Sequence, residues 1–125
     1  MGFQGAETRS YQPDVLEHDL TILGTGASAP TVAHPPGPTG ITVTRVSAGV
    51  TKLTWSDSPG RVLGIYFGLR ATTPGDVKNF SIVREAYDSS TLSVQFTLYN
   101  ASGTATDLAA LQWIDILARF KTGNV

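Results

Sequence analysis

The chain contains no cysteine. Disulfide staples, thiolate metal sites and cysteine nucleophiles are therefore excluded. Charge is also scarce. Asp, Glu, Lys and Arg make up 15% of the 125 residues and sum to a net charge of −1, against about 25% in an average soluble domain. Lys and Arg are scattered, which leaves no basic footprint, so no nucleic acid is expected as a partner. No apolar run approaches the roughly 18–20 residues of a membrane span, so no membrane partner is expected either. The opening MGFQGAETRSYQPDVLEHDL has neither the basic nor the apolar region of a secretory signal. Met1-Gly2 begins like a myristoylation motif, but Ala6 stands where Ser or Thr is needed. There are two histidines, His18 and His34. A zinc site takes three or four ligands on a rigid frame, so no metal and no cofactor is expected.

What the chain does have is threonine, serine and glycine, with apolar residues at period two. Few charges on many turns suit a protein that buries much of its surface against neighbours, and they also suit an ordinary β-sandwich. In residues 90–120, Leu92, Val94, Phe96 and Leu98 alternate with Ser93, Gln95, Thr97 and Tyr99. Ile114, Ile116, Ala118 and Phe120 do the same, with Asp115, Arg119 and Lys121 facing the other way. Both are half-buried strands by pattern. Between them, residues 100–107 read as a loop. Residues 107–111 also fit one helical turn capped by Thr106 or Asp107, followed by a strand over residues 112–121.

Further strands are expected over residues 41–46, 50–56, 61–70, 76–87 and 91–99. The first two form a hairpin around Ser47-Ala-Gly49, and Asp57-Ser-Pro-Gly60 is a turn signature. In residues 61–70, Leu63, Ile65, Phe67 and Leu69 are the expected buried set. Gly64 and Gly68 on the other side suggest a bulge or a close approach by another strand or subunit. In residues 76–87 the spacing of the apolar positions suggests a bulge near Asn79.

Residues 1–39 read differently. Glycines and prolines break them repeatedly, with a short strand candidate over residues 18–24, a weak helical alternative over residues 14–20 and a proline-rich connection over residues 25–40. They are expected to form an extended arm, with a folded body over residues 40–125. Leu20, Ile22 and Val32 are the candidate anchors of that arm. Tyr66 and Trp113 are candidate subunit contacts. Together with Trp55 and Tyr99 they could instead form an aromatic platform for carbohydrate.

No arrangement names a reaction. There is no G-x-S-x-G elbow, and neither histidine follows a strand of the expected core. Gly24-Thr-Gly26 opens like a dinucleotide fingerprint, but Pro30 replaces its last glycine and no helix follows. The carboxylates Asp57, Asp76, Glu85, Asp88, Asp107 and Asp115 fall mostly in turns, where side-chain capping explains at least four of the six, and nothing in their spacing opposes two of them across a cleft. No catalytic residue is expected, and the chain is not expected to be an enzyme.

Residues 91–120, TLSVQFTLYNASGTATDLAALQWIDILARF, resemble the end of small β-rich virion proteins of tailed bacteriophages. There an alternating strand runs into a small-residue loop, an Asp-Leu-Ala turn and a last strand ending in an Arg-Phe pair. Residues 40–54 resemble the opening strand pair of the same family. The resemblance implies a capsid decoration, or cement, protein. Such a protein forms a homotrimer over junctions of the major capsid protein, at the capsid surface of the virion, and bridges neighbouring subunits to stabilise the head. The alternative is a receptor- or carbohydrate-binding module of a tail fibre or baseplate. The expected fold is all-β: a small antiparallel β-sandwich or barrel with an extended N-terminal arm.

Overall fold

The structure, a computed structural model, describes residues 14–37 and 39–122. Strands β1 (Val15–Leu23), β2 (Thr31–His34), β3 (Ile41–Ser47) and β4 (Val50–Trp55) are followed by β5 (Arg61–Ala71). A 3-10 turn (Pro74–Val77) then leads to β6 (Ser81–Arg84), β7 (Ser93–Tyr99) and β8 (Gln112–Lys121). The strands form two antiparallel four-stranded sheets, one in the order β2-β1-β8-β5 and the other β3-β4-β7-β6. The sheets do not close on each other. The fold is a β-sandwich rather than a barrel.

The alternation explains the layers. Leu20 and Ile22 of β1 and Ile114, Ile116, Ala118 and Phe120 of β8 project from the first sheet. They meet Leu53 and Trp55 of β4 and Val94, Phe96 and Leu98 of β7. Rings tie the layers together: Phe67 lies 4.8 Å from Phe96 and Trp55 lies 5.3 Å from Phe120, centroid to centroid. Alternating strands with one face on a shared core are the arrangement that antiparallel sheets favour.

The hairpin β3–β4 turns through Ala48-Gly49, where Gly49 has φ +75° and a side chain would collide with the Thr106 backbone at 2.6 Å. Gly60 ends the Asp57-Ser-Pro turn at φ +111°, against the carbonyl of Lys121. Both positions demand glycine on conformational and steric grounds.

Several expectations are corrected. Residues 15–37 are not an arm. β1 is an interior strand, paired with β8 from Val15↔Lys121 to Leu23↔Trp113. Leu20 and Ile22 are 2% and 0% exposed, so neither is free to anchor anything outside this sandwich. The glycines and prolines of residues 24–37 and Gly40 serve the β1–β2 and β2–β3 connections. The remainder of the expected arm, residues 1–13, lies outside the described residues. The helical alternative over residues 14–20 gives way to strand for the same reason. No helical turn forms at residues 107–111, where Asp107 is engaged elsewhere and Leu111 has φ +62°. β6 is much shorter than residues 76–87, because Pro74 opens a 3-10 turn and Asn79 sits at φ +64°. In β5 a register shift between Val62 and Gly64 makes Leu63 the extra residue, 40% exposed, while Val62 packs on the core in its place. That is the bulge the nearby glycine suggested.

Candidate functional site

The outer face of the first sheet gathers most of the polar chemistry. Pairing across β2, β1, β8 and β5 sets His34, Thr21, Asp115 and Gly68 in one row and Asp19, Leu117 and Tyr66 in the next. These residues line a shallow depression of about 490 Å³. Its floor is open over Gly68, where no atom lies within 4 Å of the position a side chain would take. Tyr66 borders it, 54% exposed, and its hydroxyl leans back over Gly64.

Asp115 is the hub of this face. Thr21 Oγ1 donates to Asp115 Oδ1 at 2.8 Å, and Arg70 donates to both carboxylate oxygens at 3.3 Å. Burial works to raise the Asp115 carboxyl, but the hydrogen bonds from Arg70 and Thr21 and the Arg70 charge outweigh it and hold it below its ordinary value. The Arg70 guanidinium also lies over the Trp113 ring, 4.7 Å from its centroid. Further along the face Arg119 pairs with Glu17 at 2.9 Å, and Lys121 pairs with Asp14.

The outer face of the second sheet is its opposite in chemistry. Thr42 and Thr54 share a row, Thr44, Lys52 and Gln95 the next, and Val50, Thr97 and Val83 another. Val83 is strongly exposed. Gln95 donates to Glu85 at 2.9 Å at the margin. Lys52 is the charged residue among these three rows.

Two further polar groups lie nearer the interior. Asp107 receives a bidentate pair from Arg45 at 3.0 Å for both contacts, and Gly49 N–H at 2.9 Å. The Arg45 hydrogen bonds first, then that of Gly49, hold the carboxyl below its usual range, and Arg45 is raised in turn. The clamp fastens the loop before β8 to the β3–β4 turn. The expected Asp-Leu-Ala turn is therefore a tertiary contact: Leu108 is buried, and a side chain at Gly24 would strike the Leu108 and Ala109 carbonyls. His18 is the second group. The Trp55 indole N–H donates to His18 Nδ1 at 3.1 Å. The indole nitrogen can only donate, so the neutral ring carries its proton on Nε2. Burial pushes the imidazole below its ordinary value, and the Asp19 charge opposes this only in part. Tyr87 packs edge-on against Trp55 and Phe120, and its buried hydroxyl has no hydrogen-bond partner among the described residues.

The five residues singled out as contacts are scattered by the fold. Leu20 and Ile22 are core and Val32 is half-buried against it. Tyr66 and Trp113 share the outer face of the first sheet, separated by about 13 Å along the strands (four residues at ~3.4 Å). Of the wider aromatic set, Trp55 is buried and Tyr99 lies on the other sheet. Asp115 is legible in the sequence as an outward carboxylate, but its meeting with Thr21 and Arg70 is not, because it depends on the β1–β8–β5 register. The signal available was the lone carboxylate at an outward position of a strand otherwise framed by apolar residues. No group of three or more His, Asp or Glu side chains suited to a metal ion occurs among the described residues. No protein-family model, curated protein or solved structure matches the chain.

Proposed function

We propose that the chain is a virion structural protein, a decoration protein that lies on the phage head and bridges neighbouring capsid subunits. The observation that carries this reading is the outer face of the second sheet, threonine-rich, with Lys52 in its middle and Glu85 and Asp88 at its margin. Such a face offers threonine methyls and valines to pack against and hydroxyls for a partner to hydrogen-bond, and the partner would supply an acidic group opposite Lys52, since an uncompensated hydroxyl or charge is costly to bury. A contact of about 800 Å² per partner is standard for a specific interface, and the four strands, spaced about 4.8 Å apart and four to seven residues long, cover roughly 400 Å² in plan, about half of such a contact. The mechanism is mechanical: burial across a subunit boundary adds free energy to the closed shell. The resemblance in residues 40–54 and 91–120 points the same way, and those residues supply β3, β4, β7 and β8.

The test is co-sedimentation of the purified chain with intact phage heads. Binding is expected for the native chain and for variants of the first sheet's outer face. It is expected to be lost when Thr44 and Thr97 are both changed to Glu. Binding that survives the double change, or no binding by the native chain, sinks this reading.

A second reading is favoured by the depression beside Tyr66 and Asp115. A carboxylate with its hydrogen-bonding neighbours beside an exposed aromatic ring is a chemistry that takes sugar hydroxyls and a sugar face. It predicts glycan binding that Tyr66→Ala abolishes and the Thr44, Thr97 pair leaves intact.

A further inference from the structure

β5 is an edge strand of the first sheet and, at 11 residues, the longest strand among those described. The other described edges are β2 and β6, of four residues each, and β3, of seven. Proteins usually blunt a long edge with prolines, lysines, inward charges or β-bulges. β5 carries the bulge at Leu63 near one end but no proline or lysine, and its charges are Arg61 and Arg70, near its two ends. Leu63 and Tyr66 are among the large apolar residues left exposed. Beside the edge, between β5 and β6, runs a groove of about 380 Å³ whose walls include Phe67, Phe80 and Ile82.

The sequence of this edge is symmetric about Tyr66. Residues 63–69 read Leu-Gly-Ile-Tyr-Phe-Gly-Leu, the same pattern in both directions. We propose that β5 pairs antiparallel with β5 of a second copy of this chain, about a two-fold axis through Tyr66. In that register Tyr66 faces its own mate, Gly64 faces Gly68, Ile65 faces Phe67 and Leu63 faces Leu69. Like faces meet like. Ile65 and Phe67 lie on the core side and close the groove, while Tyr66 and the two glycines lie on the outer side. The residues diagonal to each Tyr66 are glycines, and the space above Gly68 is empty to 4 Å, so two rings fit at the axis. Arg61 falls opposite Ala71 and Arg70 opposite Val62, so no like charges are opposed. A slip by one residue would turn Tyr66 against the apolar side, which disfavours neighbouring registers. The bulge at Leu63 confines the regular ladder to Gly64 through Gly68, with the leucines closing both ends. The open side of the sandwich runs about 37 Å along β5 (eleven residues at ~3.4 Å) and about 14 Å along β6 (four residues), each sheet about 10 Å deep. That is roughly 500 Å² per partner, about two-thirds of the roughly 800 Å² of a standard interface. The pairing uses a different surface from the second sheet's outer face, so head binding and pairing are tested separately, and a two-fold dimer would replace the homotrimer that the virion resemblance implies.

The cysteine-free sequence makes the register directly testable. Light scattering after size exclusion should give 2 × 13.2 = 26.4 kDa for the full chain, and Tyr66→Lys should reduce this to the monomer mass. Under mild oxidation Tyr66→Cys should form a disulfide-linked dimer, since directly opposed residues have Cα atoms about 4.5–5.5 Å apart. Arg70→Cys should not, because its mate lies about 27 Å away along the strand (eight residues at ~3.4 Å). A monomer or trimer mass for the native chain overturns the proposal, as does cross-linking at Arg70→Cys or none at Tyr66→Cys. Dimerisation only after removal of residues 1–13 also overturns it, and assigns the edge to the chain's own N-terminus.

Discussion

The two outer faces of the sandwich share the same alternation, the first on long strands of up to 11 residues and the second on strands of at most seven, and they carry different chemistry. The first sheet binds its strands with cross-strand ion pairs: Arg70 with Asp115, Arg119 with Glu17 and Lys121 with Asp14. The second presents threonine rows around Lys52. Both faces are compatible with the same core, because a strand's outward positions contribute little to burial. The outward set is thus where function can vary without changing the fold. The same lesson holds for the two Arg–Asp pairs. Arg45–Asp107 is bidentate at 3.0 Å with side chains 28% and 23% exposed, whereas Arg70–Asp115 sits at 3.3 Å with both about half exposed. One closes a loop onto a turn, and the other lies in solvent where water and salt weaken it.

Breaking what the two sheets share should have the largest effect. Phe120→Ala removes a fully buried ring that touches Trp55 and Tyr87, and a loss of about 3–5 kcal/mol is expected in urea unfolding. Next comes Asp107→Ala, which strands Arg45 and the Gly49 N–H. Its fall in melting temperature should exceed that of Asp115→Ala several-fold. A smaller loss than for Asp115→Ala would show that the clamp is not what holds the loop before β8.

The pH dependence sharpens the contrast. The folded His18 is depressed below its ordinary value of 6.5. Protonation therefore favours the unfolded chain, and stability is full above pH ~6.5 and declines as pH falls below it. Asp107 is depressed from 3.8, so its contribution holds above that pH and is lost in more acidic solution. Thermal melts between pH 7 and 5 should show the first decline, and His18→Gln should flatten it. A decline that persists in the variant would assign it elsewhere. Smaller still is Asp115→Asn, expected to cost about 0.2–1 kcal/mol, an effect that salt should erode. The smallest stability change, within about 0.5 kcal/mol, is expected for Thr97→Glu. If the second sheet's outer face is the head-binding surface, that change weakens head binding all the same. A stability loss above 1 kcal/mol would mean that Thr97 is not simply an outward face position.

Much of the fold was legible in the sequence. β8 spans residues 112–121 as the Ile114/Ile116/Ala118/Phe120 alternation indicates, and Gly49 and Gly60 mark their turns. The candidate site was far less legible. Thr21, Arg70 and Asp115 are up to 94 residues apart in the chain, and nothing local joins them. Residues 14–37 were misread because prolines and glycines on either side of β2 gave them the texture of an arm.

The sequence by itself determined that this protein is all-β, which faces of β4, β7 and β8 are buried, and where two glycine turns fall. These are consequences of period-two patterning and backbone sterics, which act between near neighbours. The pairing of the strands decides that β1 is interior, that Asp107 is a clamp rather than a helix cap, and that the symmetric strand β5 is at an edge of its sheet among the described residues. Those outcomes depend on which strand pairs with which. Pairing is settled by burying matched apolar faces over long stretches of chain, a choice the local pattern permits in several ways.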